Sequence, residues 1–290
     1  MTPLGFDYRG TTVHEIPPNG QGIAALIALG ILQSLGPSDD APDSVAAQHR
    51  AIEAMKLAFA DTYRYVADRA HMRVPPEAML EPGYLATRAK LIDPARARDF
   101  GPGAPPAGGT VYLTTGDAQG MMVSLIQSNY MGFGSGVVVP GTGISLQNRG
   151  AGFSLDPAHA NALEGGKRPF HTIIPGFLTR DGAPLAAFGV MGGPIQPQGH
   201  VQTLVRMLDH GMNAQAALDA PRWRWNREGT LDVEPTFAPK VGAGLAALGH
   251  RITSSPDSYF DFGAGQFVVR IDGGYLAASD PRRDGQAAGF

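Results

Sequence analysis

Thr110 stands at the junction of two unlike stretches of chain. Before it runs GPGAPPAGG (101–109), too rich in proline and glycine for a helix or strand; from it runs TVYLTT (110–115), β-branched and aromatic, which reads as a strand. A hydroxyl at the first position of a strand suits a nucleophile whose general base is its own α-amine, a group with an unperturbed pKa of about 7.7–8. That amine exists only once the Gly109–Thr110 peptide bond is broken, so the chemistry implied is self-cleavage followed by attack on an amide. By itself the same pattern also describes an ordinary loop entering a strand, the commoner case.

The strand after Thr110 has a partner close by. Gly116 to Gly120 is a turn cluster and MMVSLIQS (121–128) a second apolar strand, so the pair reads as a hairpin with Thr110 at its open end. A symmetric turn sets residue 110 opposite residue 126. The period of two then puts Tyr112, Ser124 and Ser128 on the face of Thr110, with Ser128 a diagonal neighbour.

Composition narrows the remaining classes. The 290 residues carry a net charge of −3 with Lys and Arg scattered, which leaves no basic stripe for nucleic acid. With no cysteine there are no disulfides or thiolate metal sites, and the eight histidines show no i, i+4 or HxH spacing, so neither a metal nor a cofactor is expected. GAGQ (263–266) is followed by no helix-opening pattern and is not read as a nucleotide loop. No apolar run is long enough to cross a bilayer and no signal peptide opens the chain, so as written it reads as cytoplasmic; a longer N-terminus carrying a signal would make it periplasmic or secreted.

The elements that must position Thr110 are legible in outline. Residues 10–16 read as a strand, 23–32 as a helix apolar on most sides, and Ser44 as the cap of a helix reaching Tyr65. A third helix is expected within 83–92. Beyond the hairpin, 144–148, 172–179, 184–190, 266–271 and 274–278 read as strands, and 201–210, 214–218 and 239–248 as helices. Trp223 and Trp225 read as packing a surface strand against the body. Residues 1–109 are thus mainly helical and 110–290 mainly sheet with helical pairs, a layered α+β body.

Motifs along nearly the whole chain resemble the gamma-glutamyltranspeptidase family of N-terminal-nucleophile hydrolases: YRGTTVHEIPPNGQG (8–22), HRAIEAMKLAFAD (49–61), TVYLTTGDAQG (110–120), GFGSGVVVPGTGI (132–144), NALEGGKRP (161–169), MGGPIQPQGH (191–200) and ASDPRRDGQAAGF (278–290). The resemblance implies a four-layer αββα sandwich, here N-terminally incomplete because the first match belongs well inside the family's large chain. It implies cleavage between Gly109 and Thr110 into 1–109, the end of the large chain, and 110–290, the small catalytic chain, which then pair. Thr110 matches the nucleophile and Ser128 the second hydroxyl beside it. Gly192 and Gly193 match the pair whose N–H groups form the oxyanion hole.

The substrate positions depart from the transpeptidase pattern. Where transpeptidases carry acidic groups for an α-ammonium, this chain reads SLQNRGAG, with Asn148, Arg149 and Gly152; a guanidinium has only donors and favours a carboxylate. His171 and Thr172 replace a Ser-Ser pair, and Asn129-Tyr130 displaces the family asparagine. These positions, Asn129, Tyr130, Asn148, Arg149, His171 and Thr172, are the expected substrate contacts. They resemble the acylase and amidohydrolase branch, which implies hydrolysis of a small amide with an acidic acyl group through an acyl-threonine. Two alternatives stand beside it: a true γ-glutamyl transpeptidase or glutathione hydrolase, and an inactive fragment or half of a split enzyme needing a separate upstream polypeptide. The expected partners are a small-molecule amide and the paired chains, with no nucleic acid or membrane.

Overall fold

Six antiparallel strands form the sheet on which everything else packs. The computed structural model describes residues 2–100, 110–237, 239–255 and 261–289. Its strands are β1 (Leu4–Tyr8), β2 (Thr11–Glu15), β3 (Thr110–Gly116), β4 (Met122–Ser128), β5 (Gly176–Arg180), β6 (Ala183–Met191), β7 (Trp223–Trp225), β8 (Thr230–Val233), β9 (Arg251–Ser254), β10 (Ala264–Ile271) and β11 (Gly274–Ser279). Its helices are α1 (Gly22–Ser34), α2 (Val45–Tyr65), α3 (Pro76–Met79), α4 (Pro82–Ala89), α5 (Ile195–Leu208), α6 (Ala214–Asp219) and α7 (Pro239–Ala247). The main sheet runs β1-β2-β5-β6-β10-β11. Because β2 pairs with β5, the segments before and after Thr110 share one sheet.

Alternation along β6 assigns its two faces. The Phe188 ring meets His200 of α5 at 4.8 Å and stacks on Phe267, while a Cβ at Gly199 of α5 would lie 2.7 Å from Val190. Gly189, pointing the other way, would place a Cβ 2.6 Å from the Tyr112 ring of β3. Glycine there lets the β3–β4 hairpin lie directly on the sheet. Helices cover the opposite face. α1, buried along most of its length as its all-round apolar sequence predicts, sits innermost, and the Ser44 side chain caps α2 by accepting from Ala47 N at 3.1 Å.

This is an α+β fold with the layering of the N-terminal-nucleophile sandwich. Of its four layers, the described residues build one helical layer, the main sheet and a single hairpin of the second sheet. No described helix covers the outer face of that hairpin, where Val111, Leu113, Val123 and Leu125 are 41–64% exposed.

Several sequence expectations give way to tertiary effects. Strand β1 was not expected, residues 144–148 are irregular, and 172–175 lie outside β5. Helix α5 begins at Ile195, not Val201, with Pro197 in its first turn where a missing N–H costs nothing. Trp223 is fully buried and β7 is internal. The reason is on α5: β7 pairs with β8 along one edge, in the small sheet β7-β8-β9, and along the other Gln198 and Gln202 each accept from and donate to the backbone of Trp225 and Trp223, so two glutamines act as its second strand partner. Side chains that read as solvent-facing are therefore satisfied in the core.

Candidate active site

The hairpin turn is tight enough to change the register. Asp117 Oδ1 accepts from Gln119 N and Met121 N, so pairing reaches Gly116↔Met122 and sets Thr110 directly opposite Ser128. The symmetric turn had residue 110 facing 126; the shift is two residues, so the shared face survives and Ser128 becomes the direct partner. Thr110 Oγ1 donates to Ser128 Oγ at 3.1 Å, and Tyr130 N donates to the same oxygen at 2.9 Å. Thr110 is buried. Gly109 lies outside the described residues.

Hydrogen bonds to β6 fix where the hairpin points. Thr114 Oγ1 donates to Ala187 O at 3.3 Å; Ser124 Oγ, which contacts the Tyr112 hydroxyl at 2.7 Å, donates to Phe188 O at 3.2 Å. With Thr114 at Ala187 and Tyr112 at Gly189, each two-residue step back along β3 advances two along β6. Strand β6 ends at Met191, which leads into Gly192 and Gly193. Those glycines have φ of 127° and 69°, and a Cβ at Gly192 would lie 2.6 Å from Ile195 Cγ2, so both conformation and space demand glycine at 192.

Beside Ser128 lies a buried cation. Arg149 donates to Thr172 Oγ1 at 3.1 Å and to Ser128 O at 3.4 Å, and its guanidinium stacks over Tyr130 at 5.3 Å. Among the described residues it pairs with no carboxylate. Burial lowers its pKa, and burial together with the charge of Arg149 drives His171 down to about 4, keeping that imidazole neutral near pH 7. A cavity of about 460 Å³ opens here, lined in part by Asn19, Gln127, Ser128, Gln147, Arg149 and His171. The other arginine on its wall, Arg168, is held by Asp68 at 3.1 Å.

The remaining expected residues separate. Thr172 is spent on orienting Arg149. Asn148 braces the glycine loop, accepting from Met131 N at 3.0 Å and donating to Met131 O and Gly134 O, so its amide faces the loop. Asn129 meets Asn148 through the backbone, at 3.2 Å from its carbonyl to Asn148 N, and Tyr130 adopts φ of 78°.

The model of the Gamma-glutamyltranspeptidase family matches residues 1–290. The chain belongs to the gamma-glutamyltranspeptidase family. It is 39% identical to the glutathione hydrolase-like YwrD proenzyme of Bacillus subtilis, over 99% of this chain and 56% of that protein. It is equally, 39%, identical to the oxamate amidohydrolase proenzyme of Klebsiella pneumoniae, over 99% and 55%. The crystal structure of cephalosporin acylase from Bacillus halodurans superposes with a TM-score of 0.92 at 50% identity, covering all of this chain and 53% of that one. The chain thus spans about half the length of the relatives it matches.

Two groups in this family member escaped the sequence reading. Gln21 is fully buried and its Nε2 donates to Thr172 O at 2.6 Å and Gly193 O at 2.9 Å, joining both walls of the site; only its place in NGQG, before a helix, hinted at it. Histidine spacing also concealed a cluster assembled by α2 and the residue just before β9. His49, Glu53 and His250 lie together, all buried, although no local motif links them. Lys56 sits among them, 2.7 Å from Glu53 Oε1 and 3.3 Å from His250 Nδ1, while His49 Nδ1 meets His250 Nε2 at 2.8 Å and His49 Nε2 meets Asp93 O. The ammonium supplies the positive charge and every ring nitrogen is engaged. Burial and Lys56 hold His250 down at about 3. No described helix is long and apolar enough to cross a membrane.

Proposed function

We propose that this protein is an N-terminal-threonine amidohydrolase that cleaves the monoamide of a short dicarboxylic acid. The observation that carries the reading is Arg149, a buried guanidinium with no carboxylate partner among the described residues, one residue's width from the hydroxyl that holds Thr110. A desolvated guanidinium is best matched by a carboxylate. Since Arg149 touches the Ser128 carbonyl and Thr110 the Ser128 hydroxyl, the acyl group between them is short. The name of the oxamate amidohydrolase relative supports the same class of substrate.

In this reading the chain first cuts itself before Thr110, yielding 1–109 and 110–290, which remain together. The new amine takes the Thr110 hydroxyl proton as Oγ1 attacks the substrate carbonyl. Gly192 and Gly193 N–H groups receive the oxyanion, and Ser128 orients Oγ1. Collapse breaks the C–N bond, and the amine leaves with the proton held by Thr110. Water then attacks the acyl-threonine ester with the same amine as base, releasing the diacid. A γ-glutamyl donor fits less well, because Arg149 stands where its α-ammonium needs an acceptor.

The test is release of ammonia or amine from a series of diacid monoamides, against a γ-glutamyl anilide, by wild type and Thr110→Ala. Turnover of the monoamides by wild type alone is expected. Undiminished turnover by Thr110→Ala would sink the mechanism, and preference for the anilide would sink the substrate class.

A second reading concerns the assembly. The bare outer face of β3–β4, in a chain spanning about half of its relatives, supports a companion polypeptide that supplies the rest of the second sheet.

A further inference from the structure

Strand β6 outruns its neighbour just before the glycine pair. Its pairing with β5 reaches only Gly176↔Phe188, and beyond that point the β5 side of the chain diverges, with Ile174 N turning to Gln196 Oε1 on α5. Two residues past Phe188, Val190 N donates to His200 Nε2 at 3.1 Å. Because Nε2 accepts, the ring proton sits on Nδ1, which donates to Glu15 Oε1 at 2.6 Å. An α5 imidazole, oriented by a β2 carboxylate, thus does for β6 what the lost strand partner would have done.

This pair is poorly suited to stabilising the fold. Both side chains are fully buried, no cation accompanies Glu15, and its Oε2 makes no hydrogen bond among the described residues. Burying a carboxylate on so few hydrogen bonds is costly, and an apolar pair of similar volume is commonly as stable. What the pair does is local. Val190 lies two residues before Gly192, and Gly193 O is held from the other side by Gln21 Nε2 at 2.9 Å. The turn is therefore pinned at both ends, while Gly263 closes its back.

We infer that His200, oriented by Glu15, is a positioning residue that sets the direction of the Gly192 and Gly193 N–H groups. This rests on the reading of those groups as oxyanion donors under Proposed function. Donors aimed at a developing charge act only when the aim is right, and a misplacement of about 1 Å costs on the order of a hundredfold in rate.

The experiment uses the full protein, with its companion polypeptide if one is required, as wild type, His200→Leu, His200→Gln and Thr110→Ala. Steady-state kinetics and amide hydrogen exchange over residues 186–193 are measured for each. His200→Leu is expected to lower kcat by roughly ten- to a hundredfold with KM within about twofold, and to speed exchange across 186–193. His200→Gln, whose carboxamide can accept from Val190 and donate to Glu15, is expected to recover most of both. Native kcat in His200→Leu, unchanged exchange there, or no recovery by His200→Gln would overturn the inference. If Thr110→Ala stays active, the nucleophile assignment fails, and the exchange comparison still decides whether His200 orders the turn. Should His200→Leu not fold, His200→Asn, too short to reach both partners, takes its place.

Discussion

Arg149 Nη1 donates to Thr172 Oγ1 at 3.1 Å, and on its other side lies cavity rather than a carboxylate. A buried charge held by neutral groups lowers stability unless a ligand completes it. Arg149→Met is therefore expected to raise KM for a diacid monoamide by about ten- to a hundredfold while leaving the melting temperature unchanged or higher. Arg149→Lys should not restore KM, because an ammonium can neither stack on Tyr130 nor present the planar fork. Kinetics and thermal melts on the same samples check both halves.

Direct pairing of Thr110 with Ser128 makes self-cleavage testable by mass alone. Wild type is expected to resolve into two chains meeting at Gly109/Thr110. Thr110→Ala should stay intact and Ser128→Ala should mature at least about tenfold more slowly, followed by intact-mass measurement over time.

The suppressed histidines predict an acid-side loss of stability. His171 and His250 titrate near 4 and near 3 in the folded chain, against about 6.5 unfolded, so between those values the unfolded state binds more protons. Their contribution is complete above about pH 6.5 and is lost as pH falls toward the folded values, roughly 2 kcal/mol for each by pH 5. Urea midpoints at pH 7 and pH 5 should show the drop, and His171→Gln should remove about half of it.

Val111, Leu113, Val123 and Leu125 project from the uncovered side of the hairpin. Contiguous exposed apolar surface of this kind is an association site. The isolated chain is expected to bind a hydrophobic dye and self-associate in sedimentation. Leu113→Lys with Leu125→Lys should suppress both, leaving Thr110 and Ser128 on the opposite face undisturbed.

Arg222 is fully buried between Asp280 Oδ2, at 2.7 Å, and the carbonyls of Phe262 and Gly263, which back the Gly192 turn. Burial lowers its pKa to about 10 despite Asp280. Arg222→Met leaves the buried Asp280 carboxylate with Arg282 as its one remaining charged partner, at 3.1 Å, and should cost about 3 kcal/mol in denaturant unfolding. Removing both charges together with Asp280→Leu should cost less than the single change.

The sequence carried what is local. Apolar periodicity marked α1 and α2, Ser44 marked a cap, and the turn cluster after TVYLTT marked the hairpin and the shared face of Thr110 and Ser128. These follow from backbone geometry within a few residues of each signal. The family motifs carried membership across residues 1–290. What depended on distant partners was hidden: Gln198 and Gln202 standing in for a strand, Trp223 buried because of them, and Gln21 spanning Thr172 and Gly193 across 151 and 172 residues of chain. The same holds for His49, Glu53 and His250, which no spacing rule joins, and for the pairing of His200 with Glu15 across 185 residues. A polar side chain looks solvent-facing in a sequence because hydration is its default. Only tertiary structure decides that a buried backbone group needs it more than water does.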